Sequence, residues 1–264
     1  MELLGYIASV IIGVSLGLIG GGGSILTVPV LVYLLGVEPV IATAYSLFIV
    51  GTTSLVGAVP KYRQGLVSLK TAAIFGIPSI AAVFITRKFF VPLIPQHILR
   101  IGSIEITKPV LIMVLFAILM VAASWSMIKN EVKENEEPQR QRFNYPMIML
   151  EGAVVGILTG LVGAGGGFLI IPALVLFSKL PMKMAVGTSL LIIAAKSLVG
   201  FTGDLSHHTM NWKLLLIVTA AAVIGIFAGN ALNKKIPAER LKKWFGWFVL
   251  VMGLYIIVKE LFIR

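Results

Sequence analysis

Apolar residues in this chain come in long unbroken runs separated by short polar segments, with none of the alternation of a half-buried strand. A membrane-crossing helix needs about 20 apolar residues to traverse about 30 Å of hydrocarbon. On that measure, segments 40–59, 71–86, 109–128, 184–201, 214–232 and 244–258 are predicted to span a bilayer. Residues 4–35 form a run of another kind. As one straight helix they would extend about 48 Å at 1.5 Å per residue, well beyond the hydrocarbon core. They also contain Gly20-Gly21-Gly22-Gly23-Ser24, and the run returns as Gly163-Ala164-Gly165-Gly166-Gly167 in a second uncharged stretch.

The recurrence belongs to an internal repeat. Residues 13–58 and the segment 143 positions later, 156–201, share 18 identities in 46 positions without a gap. Gly17 repeats as Gly160, Pro29 as Pro172, Ser46 as Ser189, and Ser54-Leu55-Val56-Gly57 as Ser197-Leu198-Val199-Gly200. The predicted organisation is a first repeat over 1–130, a polar linker over 131–145 and a second repeat over 146–264. Each repeat holds a glycine-broken or re-entrant helix plus three transmembrane helices. Around Arg100 to Pro109 the first half carries roughly a dozen extra residues without a predicted element, counted on the repeat alignment.

Composition agrees with an all-α polytopic membrane protein: 58% of residues are hydrophobic, 12% are charged, and mean hydropathy is +1.00. The net charge of +11 does not indicate nucleic acid, because Lys and Arg sit in the segments between apolar runs, with no basic stripe or interleaved aromatics. Their distribution bears on topology. If each glycine-broken element crosses fully, the repeats are parallel and Lys plus Arg divide 10 against 11 between the two sides. If both elements turn back, the repeats are inverted and the division is 14 against 7, with Lys196 left within the membrane. The positive-inside rule favours the inverted layout, with Lys61, Arg63, the linker, Lys179, Lys183 and the cluster from Lys234 to Lys243 cytoplasmic. The absence of cysteine removes disulfides, thiol chemistry and cysteine metal sites. Met1-Glu2-Leu3-Leu4 lacks the basic start of a cleavable signal and is expected to open the first membrane element.

Backbone that leaves a helix inside hydrocarbon exposes N–H and C=O groups, so such breaks persist where they line a cavity or meet a ligand. Gly21, Gly22, Gly23 and Ser24, with Gly165, Gly166 and Gly167, are therefore the first candidate binding residues. Ser24 is expected to cap a fresh helix whose N-terminus favours an anion. Gly13-x-x-x-Gly17 and Gly156-x-x-x-Gly160 equally suit close helix packing. Lys196 is the one charge in the stretch 184–203. It should face the bundle interior, compensating an anionic substrate or pairing with Asp204. Its repeat counterpart is Thr53, next to Thr52. Thr52, Thr53, Ser46 and Ser189 are candidate neutral donors, although serines often bond their own helix. Asp204, His207 and His208 are candidates for proton coupling. Adjacent histidines do not share a helix face, so no metal site is predicted, and no catalytic motif or cofactor signature is present.

On these residues the chain resembles the TauE/SafE sulfite exporter family. Carrying the likeness are Gly17 to Gly23 with Pro29-Val30-Leu31, Ala42 to Leu47, Gly65-Leu66-Val67, Gly160 to Gly167 with Pro172, Ala185 to Leu190, and Lys196 to Asp204. The resemblance implies a cytoplasmic-membrane secondary transporter of a small sulfur-containing oxyanion, sulfite or an organosulfonate, and no enzyme. An anion leaving a negative-inside cell gains about 2.3 kcal/mol per charge per 100 mV, so export needs no coupling ion. With Glu2, Glu151, Glu260 and Asp204 all near segment ends, export by alternating access is the expected mode. A proton- or cation-coupled importer and an anion channel are the alternatives.

Overall fold

A computed structural model describes residues 2–101, 104–129, 145–163, 165–176, 178, 180–205, 209–233 and 238–262. His207, His208 and all of the polar linker except Tyr145 lie outside the described residues.

Helix α1, Glu2–Ile19, ends where Gly20 takes φ +72, a conformation that stops a right-handed helix and that only glycine adopts cheaply. The chain continues as a tight 3-10 turn over Gly20–Leu26, one α-turn at Thr27–Pro29 and a wide π-turn at Val30–Leu34. Leu35 then lies against Gly5. The broken element thus returns to the level at which α1 began. The second glycine run acts at the equivalent place: α5, Tyr145–Val162, stops at Gly163 with φ +73, and α6 resumes at Gly167–Leu176.

The long helices are α2 Pro39–Arg63, α3 Leu69–Ile85 extended by a π-turn at Thr86–Phe90 to Leu93, α4 Lys108–Lys129, α7 Met182–Asp204, α8 Trp212–Asn233 and α9 Ala238–Phe262. Their starts are explicable locally. Glu38 accepts from the Ile41 amide before α2, Ser68 Oγ from the Thr71 amide before α3, and Asn211 Oδ1 from the Leu214 amide before α8.

Apolar surface has little to gain from helix association in a lipid environment, so close backbone approach carries the packing. Gly13 and Gly17 of α1 lie on the backbone of α8 at Ala222 and Gly229, and Gly225 and Gly229 return the contact. Gly152, Gly156 and Gly160 of α5 lie on α3 at Phe75, Ser79 and Thr86, so α5 and α3 run side by side in the same direction. Helices α2 and α7 cross in opposite directions at the centre: Gly51 meets Leu198, Gly57 faces Leu190, and Gly187 meets Lys61 and Leu66. Helix α9 packs on α4, with Gly253 against Ala117 and Met120.

Among the described residues, six helices are long and apolar enough to cross a membrane: Pro39–Arg63, Leu69–Leu93, Lys108–Trp125, Tyr145–Val162, Met182–Asp204 and Trp212–Leu232. Five coincide with the segments expected from hydropathy. The sixth does not: Tyr145–Val162, expected only as one limb of a broken element, qualifies, whereas α9, which contains segment 244–258, is not among them. A second difference is the insertion near Arg100. It forms an antiparallel pair, β1 His97–Ile101 with β2 Ile104–Thr107, in an otherwise all-α chain.

Candidate functional site

The two glycine breaks meet. A Cβ on Gly21 would fall on the backbone of Gly167, and one on Gly167 would fall on Gly21, so neither position has room for a side chain. Ile193 of α7 closes on Gly21 and Gly165, and Val50 of α2 closes on Gly165. The breaks therefore sit between the crossing helices α2 and α7, in the middle of the protein.

Lys196 projects from α7 to the second break. It is fully buried, and its Nζ donates to Thr159 Oγ1 of α5 at 3.0 Å. A Cβ on Gly166 would stand 2.7 Å from Nζ, so glycine there lets the ammonium come up to the backbone. Among the described residues no carboxylate pairs with Lys196. Asp204, the intramolecular partner considered from sequence, is engaged elsewhere: its carboxylate lies 3.4 Å from Arg87 Nη1.

Arg87 was not legible as a site residue. It follows Thr86 at the expected end of a span, where a basic residue reads as a loop charge. The π-turn at Thr86–Phe90 widens the helix by one residue and turns Arg87 inward, where it is fully buried. Its Nη1 donates to Thr43 Oγ1 at 3.0 Å, and its Nη2 lies against Gly163. Two buried cations thus stand at positions three apart in the second break, Arg87 at Gly163 and Lys196 at Gly166. Thr159 gave no signal either, since its repeat counterpart is Leu16.

The other expected residues are distributed around this centre. Gly22 and Gly23 lie within the 3-10 turn of the first break. Ser24 does not cap a helix: its Oγ donates to the Gly21 carbonyl at 2.7 Å inside a continuous turn. The physical reason is that the backbone stays helical in hand through this turn and leaves the hydroxyl within reach of the carbonyl three residues back. Thr53 and Ser189 are buried and bond their own helices, to the Ile49 carbonyl at 2.6 Å and the Val186 carbonyl at 2.8 Å. Ser46 is buried with no hydrogen-bond partner for Oγ among the described residues, and Thr52 is half-buried. Asp204 is not a segment-end carboxylate open to solvent, as expected, but is 1% exposed. Glu151 also departs from that expectation, with both carboxylate oxygens buried and without a partner among the described residues.

The chain is similar to known proteins over most of its length. A probable membrane transporter protein of Xylella fastidiosa is 28% identical over 253 residues, covering 94% of this chain and 91% of its own length. YunE of Bacillus subtilis, also described as a probable membrane transporter protein, is 25% identical over 282 residues, covering 98% of this chain and its own full length. A third, MJ0441 of Methanocaldococcus jannaschii, is 33% identical over 116 residues, 42% of this chain and 43% of its own. No solved structure matches the chain. The family described as Sulfite exporter TauE/SafE matches residues 5–256, nearly the whole chain, and the protein therefore belongs to that family of membrane transporters.

Proposed function

We propose that the protein is a secondary transporter of the cytoplasmic membrane that binds a small sulfur oxyanion, sulfite or an organosulfonate, at the paired glycine breaks and releases it by alternating access. The observation that carries this reading is Lys196, a fully buried amine with one neutral hydrogen-bond partner and no carboxylate beside it among the described residues. A buried charge left in this state is costly, and a bound anion would supply the missing counter-charge. The sulfur centre comes from the family alone. Complete burial of Lys196, Thr159, Arg87 and Asp204 favours a carrier that must open over a channel that stands open.

The two halves are proposed as inverted repeats. Supporting this are the return of Leu35 to Gly5 and the opposite directions of the equivalent helices α2 and α7, which parallel repeats would run the same way. Cysteines at Lys61 and at Lys183 should then label from one face of the membrane. Labelling from opposite faces would establish parallel repeats.

Export, favoured by the negative-inside potential, is the proposed direction; Glu151 favours a second mode, proton-coupled uptake. Glu151 lies about 9 Å into α5 at 1.5 Å per residue, with both carboxylate oxygens buried and unpartnered among the described residues. Coupling through it predicts that Glu151→Gln abolishes the pH-gradient dependence of transport while sulfite binding persists. An unchanged gradient dependence would remove Glu151 as the coupling group, and wild-type transport without any gradient dependence would leave uncoupled export.

The function itself is tested by titrating purified protein with sulfite, methanesulfonate, acetate and chloride and following thermal stability, because a ligand that binds the folded state stabilises it by mass action. Saturable stabilisation by sulfite or methanesulfonate is expected. Stabilisation by none of the four would overturn the reading.

A further inference from the structure

The hydrogen-bonding capacity of Arg87 is only half used. A guanidinium presents five N–H donors in a rigid planar fork and accepts nothing. In this structure the Nη1 side is occupied, by Thr43 Oγ1 at 3.0 Å and by the Asp204 carboxylate at 3.4 to 3.5 Å. Those carboxylate distances are long against the 2.7–2.9 Å of a well-made charge-assisted bond. Asp204 therefore holds the group in place without exhausting it. Nε and Nη2, both fully buried, have no partner among the described residues. These two nitrogens form one edge of the guanidinium, the edge that engages two oxygens of a single carboxylate, sulfonate or phosphate side by side. Nη2 lies on Gly163, the residue at which the second break begins, so the edge is at the break itself. Any side chain at Gly163 would collide with it, as well as with Thr43.

We propose that Arg87 is a second anion-holding residue of the transport site, presenting its Nε/Nη2 edge to an oxyanion with two oxygens on one central atom, while Asp204 and Thr43 fix the guanidinium from the Nη1 side. This rests on the transporter reading above and sharpens it. Lys196 supplies charge as a compact ammonium and discriminates little among anions. Arg87 supplies the geometry, so the site selects anions carrying paired oxygens over spherical anions of equal charge. Asp204 is a positioning residue in this scheme, since it acts through Arg87.

The experiment compares Arg87→Lys with wild type in the same four-anion titration at constant ionic strength. Lysine keeps the charge beside Asp204 and removes the fork. Sulfite and methanesulfonate affinity should fall at least tenfold, the chloride response should stay at its wild-type level, and stability without ligand should change little. A structural role alone would lower the unliganded stability and move all four anions together. Should Arg87→Lys fail to fold, the double variant Arg87→Met with Asp204→Leu replaces the buried pair by apolar residues of similar reach, a change such sites tolerate. That variant should be folded and lose the preference for paired-oxygen anions over chloride. Unaltered preference in either folded variant overturns the assignment of Arg87, and if Lys196→Met still loses binding, the transport site stands without it. A wild-type protein that responds equally to chloride and to the oxyanions overturns the geometric role directly, and one that responds to none overturns both readings.

Discussion

The two glycine breaks lie in similar stretches of sequence and touch each other at Gly21 and Gly167, yet they are chemically unequal. At the first, the nearest groups that a Cβ on Gly20 or Gly21 would meet are Val186, Ile171, Ile193 and Gly167. Ser24 turns back on Gly21, and the residue repeat-equivalent to Lys196 is the neutral Thr53. The second is bracketed by Lys196 and Arg87, both fully buried. The first break runs on as a 3-10 turn after Gly20, whereas the second takes positive φ at Gly163, Gly165 and Gly166, and both buried cations stand at the second. Under the proposed function, the cations place the anion at the second break.

The sharpest test of that contrast removes the ammonium. Lys196→Met should leave the protein folded and inserted, since it deletes a costly buried charge, and should weaken sulfite binding by about 1.5 to 3 kcal/mol, roughly 10 to 150-fold, the worth of a charge-assisted hydrogen bond. Thr53→Val at the equivalent place in the first half loses a hydroxyl that serves only its own helix and should leave affinity near wild type. Equal losses in the two variants, read by ligand-dependent thermal stability, would mean that the breaks contribute alike.

A smaller effect separates backbone strain from site geometry. Gly166 and Gly36 have nearly the same conformation, φ +68 and +66. A Cβ at Gly36 meets nothing within 4 Å, whereas one at Gly166 meets Thr159 and Lys196 Nζ. Gly36→Ala should cost only the left-handed penalty, about 1 to 2 kcal/mol, and spare binding. Gly166→Ala carries that penalty plus displacement of Lys196, and should lose both stability and sulfite affinity in denaturation and titration measurements. If the two alanines behave alike, Gly166 serves the turn and not the site.

The mildest expectation concerns Ser24. Its hydroxyl satisfies the Gly21 carbonyl within the first break, so Ser24→Ala should lower unfolding stability by about 0.5 to 1.5 kcal/mol with little change in anion affinity. A tenfold affinity loss would instead make the first break a direct contributor and erase the asymmetry.

Hydropathy located five of the six membrane-length helices among the described residues, because lipid tolerates only long, internally satisfied apolar segments. The same constraint made two runs of consecutive glycines conspicuous, and it singled out Lys196 as a charge with nowhere else to go. Membership of a transporter family was legible for the same reason, through the glycines, Pro29, Pro172 and the stretch from Lys196 to Asp204. Other features depended on contacts that no linear pattern carries. Ser24 lay in a helix-capping context, but the turn stayed continuous and directed its hydroxyl to a carbonyl. Arg87 and Asp204 each stood at the expected end of a span, where charges ordinarily face water. Their burial depends on one π-turn that rotates Arg87 inward and on the crossing of α3 with the end of α7, which brings together residues 117 positions apart. What the sequence determined by itself was where the chain enters lipid, where its helices break and that one cation lies at depth, because each follows from the local cost of polar groups in hydrocarbon. Which polar groups face one another at the break was decided only by the packing of four helices, because partnership between side chains is a property of distance in space.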